Sequence, residues 1–339
     1  MSLTVNFIER KVADTQSIEG VFREVAKGIE RKGSKTLFSK LPYSNSFLGL
    51  VRNLLTFRPT KADIYHITGH VHYIALILPK CRTVLTIHDL GVLRQRSGLR
   101  RWIIKKLYFD LPVKRAGAVT VISEATKAEL VRNTGIDSER VLVIENPLKE
   151  SLKYEEKLPF NDVEPRLLQI GTAEHKNLDG MIKAVQGLTC QLIIVGKLSA
   201  EQIDLLLASG VKYQNFADLD EESMAHEYRN ADIVVFCSKF EGFGLPIIES
   251  QAMKTPLITS DLSPMREVAA TAAILVDPEK PTEIRKAIDR LIGDPKLRSD
   301  LVERGLENIK RFDADEISQK YIAVYNTLID SSSVVKPIL

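Results

Sequence analysis

The sequence predicts an α/β protein that contains two doubly wound parallel sheets. Apolar runs with the length and β-branched content of buried strands recur twelve times along the 339 residues, and stretches with helical spacing follow them. Strands that alternate with helices along a chain are typical of parallel sheets. The runs divide six and six about residues 147–166, "PLKESLKYEEKLPFNDVEPR", a charged, proline-bounded stretch without periodicity.

The predicted strands follow in chain order. Those of the first half are "LTVNFI", "KTLFS", "ADIYHI", "RTVLTIHD", "AVTVIS" and "VLVIEN". Those of the second half are "RLLQIG", "CQLIIVG", "VKYQNF", "DIVVFCS", "PLITS" and "AAILVD". We therefore predict a first domain at residues 1–148, a linker at 149–165, a second domain at 166–312, and a helix at 313–330 that docks across the domain boundary. The two domains should face each other across a cleft lined by the carboxyl ends of strands, where α/β sheets bind ligands.

Composition excludes several classes of protein. Hydrophobic residues at 44% and charged residues at 27% are typical of a globular protein, and no apolar run reaches the ~18 residues that would span a bilayer. The start "MSLTVNFIERKV" is strand-like and charged, unlike a signal peptide. Cys81, Cys190 and Cys237 are scattered and lack metal-ligand spacing. We therefore expect reduced thiols and a cytoplasmic location.

Charge is distributed unevenly along the chain. Residues 1–150 contain 25 basic and 14 acidic residues, a net +11, whereas residues 151–339 contain 22 and 30, a net −8. The segment "RQRSGLRRWIIKKLYFDLPVKR", residues 94–115, places Arg100, Arg101, Lys105 and Lys106 around apolar side chains. Such a segment is typical of contact with an anionic membrane surface or another anionic partner. The alternative is a solvated helix whose apolar side faces its own core.

The stretch "SKFEGFGLPIIESQAM", residues 238–253, predicts a strand, a glycine turn and a helix that starts beside Pro246. The unpaired N–H groups and the dipole of a helix start favour a phosphate, and the glycines allow its close approach. Glu241 and Glu249 stand on either side of the turn, where they could bind the hydroxyls of a ligand. The structural alternative is a loop glutamate and a surface charge that compensates the helix dipole.

Three other strand ends carry candidate side chains. The strand "RLLQI" is followed by Gly171, Thr172 and Lys176, and "LIIVG" by Lys197, so that two cations could hold a phosphate. The alternative is that both lysines are solvated surface charges. His88 ends "VLTIHDL", where it could bind a sugar hydroxyl or transfer a proton, or be a buried histidine tied to a carbonyl.

Several familiar motifs are missing from the sequence. It contains no dinucleotide-binding G-x-G-x-x-G, no P-loop, no G-x-S-x-G elbow and no recognition module for nucleic acid. The histidines of "YHITGHVHY" do not have the spacing of a metal motif, and a strand followed by a helix start explains them more simply.

The combination of motifs resembles the retaining glycosyltransferases of family 4, the glycosyl transferases group 1. The resemblance covers the second half, from "GTAEHKN" through "VGK", "ADIVVFCSKFEGFGLPIIESQAM", "TPLITS" and "MREV" to "AAILVDP". In the first half it is confined to "TIHDL", "VTVISEATKAEL" and "VIENP". It implies the GT-B fold, in which two Rossmann-like domains face each other across a cleft.

The resemblance also implies roles for the candidate residues. Glu241 would lie beside the hydroxyls of the donor sugar and the reacting centre, and Glu249 would bind the ribose of the nucleotide. The turn of Gly242, Phe243, Gly244 and Leu245 would hold the diphosphate, the last two through their N–H groups. Lys176 would neutralise the diphosphate as it leaves, so no metal or other cofactor is expected. His88 matches the first-domain histidine near the donor sugar.

The chain departs from the family pattern in three places. The arginine that often precedes the lysine is missing from "LLQIGTAEH", which leaves Thr172, His175 or Lys197 to compensate. The glycine-rich first loop, on the acceptor side, is reduced to "DTQSIEGVFREV" with Gly20 alone. In "ENPL" the glycine usual after the asparagine is absent, which predicts a stiffer hinge.

The sequence thus predicts a retaining glycosyltransferase that moves a hexose from a nucleoside diphosphate sugar to an acceptor hydroxyl. The donor should bind the second domain. The basic first domain should bind the acceptor, a sugar on a polysaccharide, lipopolysaccharide or lipid-linked precursor. One alternative is a nucleotide-sugar epimerase of related fold. The other is a non-catalytic partner subunit that binds nucleotide sugars.

Overall fold

The computed structural model describes residues 2–11, 17–44, 46–94, 96–152, 157 and 159–334. Parts of the predicted first loop and linker, at residues 14–16, 153–156 and 158, lie outside the described residues. Contacts divide the chain into two compact units. The first unit comprises residues 1–147 together with 313–339, and the second comprises residues 148–312.

The first unit contains one parallel six-stranded sheet, and its strands coincide with the six predicted runs. They are β1 (Thr4–Glu9), β2 (Lys35–Lys40), β3 (Ile64–Ile67), β4 (Thr83–Ile87), β5 (Ala118–Val121) and β6 (Val141–Val143). Their order is β2-β1-β3-β4-β5-β6, and every neighbouring pair is parallel. The order reverses between β1 and β3.

Helices cover both faces of this sheet. They are α1 (Ser17–Arg31), α2 (Phe47–Thr56), α3 (Gly91–Arg94), α4 (Gly98–Ile104), α5 (Leu111–Arg115) and α6 (Glu124–Thr134). A π-helical turn, Lys105–Asp110, joins α4 to α5, and a 3₁₀ turn, His72–Leu76, follows β3. Crossovers between parallel strands are right-handed. The step from β1 to β2 runs opposite to all later steps, so α1 lies on one face and α2 to α6 lie on the other.

The second unit repeats the design, and its strands again coincide with the predicted ones. They are β7 (Arg166–Ile170), β8 (Gln191–Val195), β9 (Tyr213–Phe216), β10 (Ile233–Phe236), β11 (Leu257–Ser260) and β12 (Ile274–Val276). The helices are α7 (Leu178–Val185), α8 (Ala200–Ser209), α9 (Glu221–Asn230), α10 (Leu245–Ala252), α11 (Met265–Ala269), α12 (Pro281–Gly293) and α13 (Pro295–Asn308). The parallel strands are ordered β12-β11-β10-β7-β8-β9, the doubly wound order of dinucleotide-binding sheets.

The last helix, α14 (Ala314–Val334), packs within the first unit. Its Ser318 hydroxyl donates to the carbonyl of Val25 in α1 over 3.0 Å. A Cβ at Gly28 would come within 2.2 Å of Ser318 Oγ, so the two helices need glycine to approach this closely.

A series of buried, hydrogen-bonded side chains attaches α14 to the sheet. Tyr325 Oη lies 2.7 Å from Nδ1 of His66, and Nε2 of His66 lies 2.7 Å from Oγ1 of Thr86, which in turn contacts Oγ1 of Thr120 at 2.6 Å. Because buried polar groups are costly when unpaired, this series selects one position for the helix.

We predict that acid destabilises the first unit. Burial lowers the pKa of His66 and His72 to about 3 and that of His88 to about 4. Histidines of the unfolded chain titrate near pH 6.5 and therefore bind protons that the folded chain rejects. The free energy of unfolding should fall as the pH drops below 6.5, by up to about 1.4 kcal/mol per pH unit for each histidine.

Denaturant titration at a series of pH values, followed by the fluorescence of the single tryptophan, Trp102, measures the stability of the first unit. The control is His226→Gln, because His226 is exposed on α9 and should leave the pH dependence unchanged. A midpoint that stays constant between pH 7 and pH 5 would contradict the prediction.

Candidate functional site

The candidate site of the second unit lies where the strand order reverses. After β7 the chain continues to β8 and β9, whereas after β10 it continues to β11 and β12 on the other side. The segments that follow β7 and β10 therefore diverge, and a crevice opens at the carboxyl ends of these two neighbouring strands. Residues 171–177 follow β7 and residues 237–244 follow β10. Both predicted motifs thus meet at the one edge of the sheet where such folds bind ligands.

Lys176 and Glu241 form an ion pair at this edge. Nζ of Lys176 lies 2.6 Å from Oε1 of Glu241, and the two side chains are 22% and 12% exposed. Nζ also lies 5.1 Å from the ring centroid of Phe236, the last residue of β10. The pair places one cation and one carboxylate together in a partly desolvated position, where hydrogen bonds to a ligand are stronger than in water.

The backbone around Lys176 is held by neighbouring side chains. Gly171 has φ +87°, and a Cβ there would come within 2.8 Å of Cγ of Lys176. The Gln169 amide donates to the carbonyls of Lys176 and Gly171 over 3.0 and 3.3 Å. The Asn177 amide donates to the carbonyls of Cys237 and Pro278 over 3.2 and 2.7 Å. The lysine therefore stands on a fixed loop. Sequence reasoning missed Gln169 and Asn177, because the first bonds the loop that follows its own strand through folded geometry and the second joins separate loops.

The residues predicted to compensate for the missing arginine have different surroundings. The Thr172 hydroxyl donates to the carbonyl of Lys197 over 2.6 Å, which joins the loops after β7 and β8. The Lys197 side chain is exposed. The His175 ring lies 6.0 Å from that of Phe240, centroid to centroid. The structure thus assigns Thr172 a role in fixing the loops.

The glycine turn leads directly into α10. Gly244 has φ +104°, in the left-handed region that favours glycine, and no side chain of the described residues caps the helix start at Leu245. Pro246 at the second position lacks an N–H group. Phe243 is buried and packs edge to face on Phe312, with 5.7 Å between the ring centroids. This phenylalanine anchors the turn, while the positive end of the helix dipole remains available for an anion.

Glu249 is held by a tyrosine that sequence reasoning missed. The Tyr228 hydroxyl donates to Oε2 of Glu249 over 2.6 Å, and Tyr228 is fully buried in α9. Burial raises the pKa of Glu249, whereas the Tyr228 hydrogen bond and the charge of Lys149 act to lower it. Burial beside this carboxylate raises the pKa of Tyr228 well above 10, so the tyrosine remains a donor. The spacing of "HEYRNAD" gives no signal for this contact, because Tyr228 and Glu249 lie 21 residues apart on different helices.

In the first unit, His88 lies at the corresponding edge of the sheet. Its Nε2 lies 2.8 Å from the carbonyl of Thr68, which can only accept, so Nε2 carries the proton and Nδ1 is left as an acceptor. Burial, followed by the nearby His70, lowers the pKa of His88 to about 4. His88 is therefore neutral at physiological pH. The Glu19 carboxylate acts on His88 from nearby and is paired with Arg10 at 2.8 Å.

The other first-unit candidates have these positions. Gly20 lies in the first turns of α1. Arg100 and Arg101 are exposed on α4, whereas Lys105 and Lys106 belong to the π-helical turn and contact the buried carboxylate of Asp110 at 2.7 and 3.0 Å. Burial alone would raise the pKa of Asp110, but the hydrogen bonds from the two lysines outweigh it and lower the pKa. Half of the predicted basic cluster thus serves an internal ion pair.

Two kinds of feature are missing from the described residues. No helix there combines the length and the apolar character that a bilayer crossing requires. No group of three or more His, Cys, Asp or Glu side chains within the same ranges is arranged to hold a metal ion.

Comparison with known proteins places both halves of the chain in one family. The model of the glycosyl transferases group 1 matches residues 150–308, and the model of glycosyltransferase family 4 matches residues 10–151. Together the two models span residues 10–308. The match to the first half extends well beyond the few motifs that carry the resemblance there.

Two curated relatives agree with this assignment. The chain is 28% identical to the O-antigen chain mannosyltransferase RfbU of Salmonella typhimurium over 69% of this chain and 67% of that protein. It is 26% identical to an O-antigen chain mannosyltransferase B of Escherichia coli over 82% and 77%.

The structure of Anabaena HepE in complex with UDP and glucose superposes with a TM-score of 0.78 at 15% identity, over 96% of this chain and 100% of that one. This likeness concerns the fold. The chain belongs to the glycosyl transferases group 1, glycosyltransferase family 4, and has the GT-B fold.

Proposed function

We propose that this glycosyltransferase moves a hexose from a nucleoside diphosphate sugar to an acceptor hydroxyl, retains the anomeric configuration, and needs no metal. The observation that carries the proposal is the Lys176–Glu241 pair at the strand-order reversal, on the segment that leads into the uncapped start of α10. A cation and a helix N-terminus suit a diphosphate, while a carboxylate suits sugar hydroxyls. The relatives named as mannosyltransferases support a hexose donor.

Charge development at the leaving group explains the proposed role of Lys176. When the bond between the sugar and the diphosphate breaks, the diphosphate leaves with both bonding electrons and gains negative charge. Lys176 and the N–H groups of Gly244 and Leu245 would stabilise that charge from a preorganised position. A metal ion supplies the same stabilisation in other transferases. Glu241 would hold the donor sugar beside the reacting carbon.

Glu249 is proposed to bind the ribose of the nucleotide. Tyr228 occupies Oε2 of its carboxylate, so Oε1 remains to accept from a ribose hydroxyl. The buried tyrosine fixes the orientation of the carboxylate, and this lowers the entropy cost of nucleotide binding.

The acceptor is proposed to be a sugar on a polysaccharide, lipopolysaccharide or lipid-linked precursor, as the names of the O-antigen relatives suggest. We further propose that the basic segment 94–115 brings the enzyme to an anionic membrane surface, because exposed basic residues on α4 flank Trp102. Neither of the relatives reported above is named as an epimerase or as a non-catalytic subunit, so these two alternative functions have no support from them.

Removing the Glu249 carboxylate should weaken nucleotide binding. Glu249→Ala should cost about 1.5 to 3 kcal/mol, the range for hydrogen bonds to a charged group. Tyr228→Phe keeps the carboxylate but removes its orienting donor, so it should weaken binding by a smaller amount. Calorimetry with UDP, GDP and ADP measures both effects. Unchanged affinity in a folded Glu249→Ala protein would refute the ribose assignment.

Removing the Lys176 charge should slow turnover more than it weakens donor binding. Lys176→Met should lower kcat by about 10² to 10³, the range for loss of one group that stabilises developing charge. Lys197→Met is the matched control, because Lys197 is an exposed cation on the adjacent loop and should have a smaller effect. Equal losses in the two variants would show that only the overall positive potential matters.

Turnover should survive an excess of EDTA, because the proposed stabilisation of the diphosphate comes from side-chain and backbone groups. The measurement is release of nucleoside diphosphate from the preferred donor, before and after chelation. Activity that disappears with EDTA and returns with magnesium or manganese would disprove the metal-free scheme.

A further inference from the structure

Most of the exposed large apolar side chains of the described residues lie in one segment of the first unit. Fourteen large apolar side chains are well exposed in the described part of the chain, and nine of them lie between residues 47 and 111. Exposed apolar groups that cluster in this way mark interaction surfaces, whereas scattered ones need no explanation.

Helix α2 contributes four of these side chains. Phe47, Leu48, Val51 and Leu55 are between 38% and 72% exposed. At about 100° per residue they fall within one arc of roughly 100°. Gly49, Leu50 and Asn53 of the same helix are buried on the opposite side. The helix therefore packs on its own core with one face and presents a second apolar face to solvent; we name Phe47, Leu48, Val51 and Leu55 the α2 face.

Helix α4 contributes a second apolar face. Leu99, Trp102 and Ile103 are exposed at the spacing i, i+3 and i+4, which places them on one side of the helix. We name these three residues the α4 face. Arg96 and Arg100 lie beside it and are exposed, and the described residues provide neither with an ion-pair partner. The α4 face is thus bordered by positive charge that no described ion pair neutralises.

The two faces belong to the same side of the sheet. Right-handed crossovers place α2 to α6 on the side opposite α1. The Asn53 amide of α2 donates to the Tyr73 hydroxyl over 2.9 Å, and the Tyr73 ring packs edge to face on Tyr108 of the π-helical turn at 5.4 Å. Helix α2 and the continuation of α4 therefore share Tyr73 as a common support, and they are held in a fixed relation.

We infer that the α2 face and the α4 face together form one surface that inserts into an anionic lipid bilayer, an inference that rests on the membrane contact proposed above for segment 94–115. Residues 47–115 contain 13 basic and 3 acidic residues, so nearly all of the +11 of the first 150 residues lies there. Helices with apolar faces bordered by basic residues bind in the interfacial region of anionic membranes. A second copy of the chain would bring the same positive charge and would be repelled.

Vesicle binding followed through Trp102 tests the inference. Trp102 is the single tryptophan, is 57% exposed, and belongs to the α4 face, so its emission should shift to the blue when the surface inserts. We expect the shift with phosphatidylcholine vesicles that contain phosphatidylglycerol, and little or none with phosphatidylcholine alone. Added salt should weaken binding, because it screens charges beyond a Debye length of about 8 Å at physiological ionic strength.

Variants of α2 test whether that helix is part of the surface. The α2 variant combines Phe47→Ser, Leu48→Ser and Leu55→Ser. It should need about tenfold more lipid, or more, to reach half of the maximal Trp102 blue shift, because each large apolar side chain favours burial away from water. The control combines Ile203→Ser, Leu207→Ser and Leu262→Ser, three exposed apolar residues of the second unit, and should bind vesicles like the unchanged protein. Arg96→Gln with Arg100→Gln should weaken binding to anionic vesicles only. Lys105 and Lys106 are left in place because they neutralise Asp110.

Any of three other outcomes would overturn the inference. A shift that the α2 variant does not change would remove α2 from the surface. Equal binding to neutral vesicles would show that charge is not recognised. A concentration-dependent dimer that the α2 variant abolishes, without vesicle binding, would make the α2 face an interface between copies.

Nucleotide binding by calorimetry without lipid separates this inference from the proposed transferase. Vesicle binding without nucleotide binding would leave the surface intact and defeat the proposed function. Nucleotide binding without vesicle binding would refute the membrane surface and leave the proposed transferase intact.

Discussion

The reversal of strand order beside β7 is the constraint on which the site of the second unit depends. In a parallel sheet all carboxyl ends lie at one edge, and only where the order reverses do neighbouring strands send their following segments in opposite directions. The neighbours here are β7 and β10, so the lysine loop and the glycine turn diverge at the same place. Lys176 and Glu241 can meet at 2.6 Å because the sheet brings them there. The helix start at Leu245 and the fixed loop at Gly171 follow from the same arrangement.

Buried polar groups hold the parts of each unit in position. In the second unit, Tyr228 fixes Glu249, and Asn177 ties the lysine loop to the segment after β10. In the first unit, the Tyr325–His66–Thr86 chain fastens the last helix. Such groups add little net stability when they are paired but cost much when they are not, so they act mainly by excluding other arrangements. The buried histidines of the first unit remain neutral for a related reason, because burial disfavours their charged form.

Tertiary contacts divide the positive charges into two groups. Lys105 and Lys106 neutralise Asp110 inside the first unit, and Arg94 pairs with Glu129 at 2.7 Å. Arg96, just before α4, and Arg100, on α4, are instead exposed. A count of charges in the sequence treats these residues alike. Of these five residues, Arg96 and Arg100 alone have no ion pair with the described residues, so they can bind a partner without first breaking an internal contact.

The sequence by itself determined the elements and the chemistry of the motifs. The twelve strands of the described residues were all predicted, because a β-branched apolar run is a local property that each segment carries alone. The glycine turn and the start of α10 were equally local, since Gly244 permits the left-handed backbone of the turn and Pro246 fixes its own φ. The basic, apolar character of the α4 segment was visible for the same reason.

The tertiary structure alone decided which of these pieces act together. It brought Lys176 into an ion pair with Glu241 and Tyr228 into a hydrogen bond with Glu249. It paired Lys105 and Lys106 with Asp110. It also packed both α2 and the continuation of α4 against Tyr73. These contacts join separate elements, and no spacing rule relates their partners. They are fixed by strand order and by the need to satisfy buried polar groups, and both depend on how the whole unit packs.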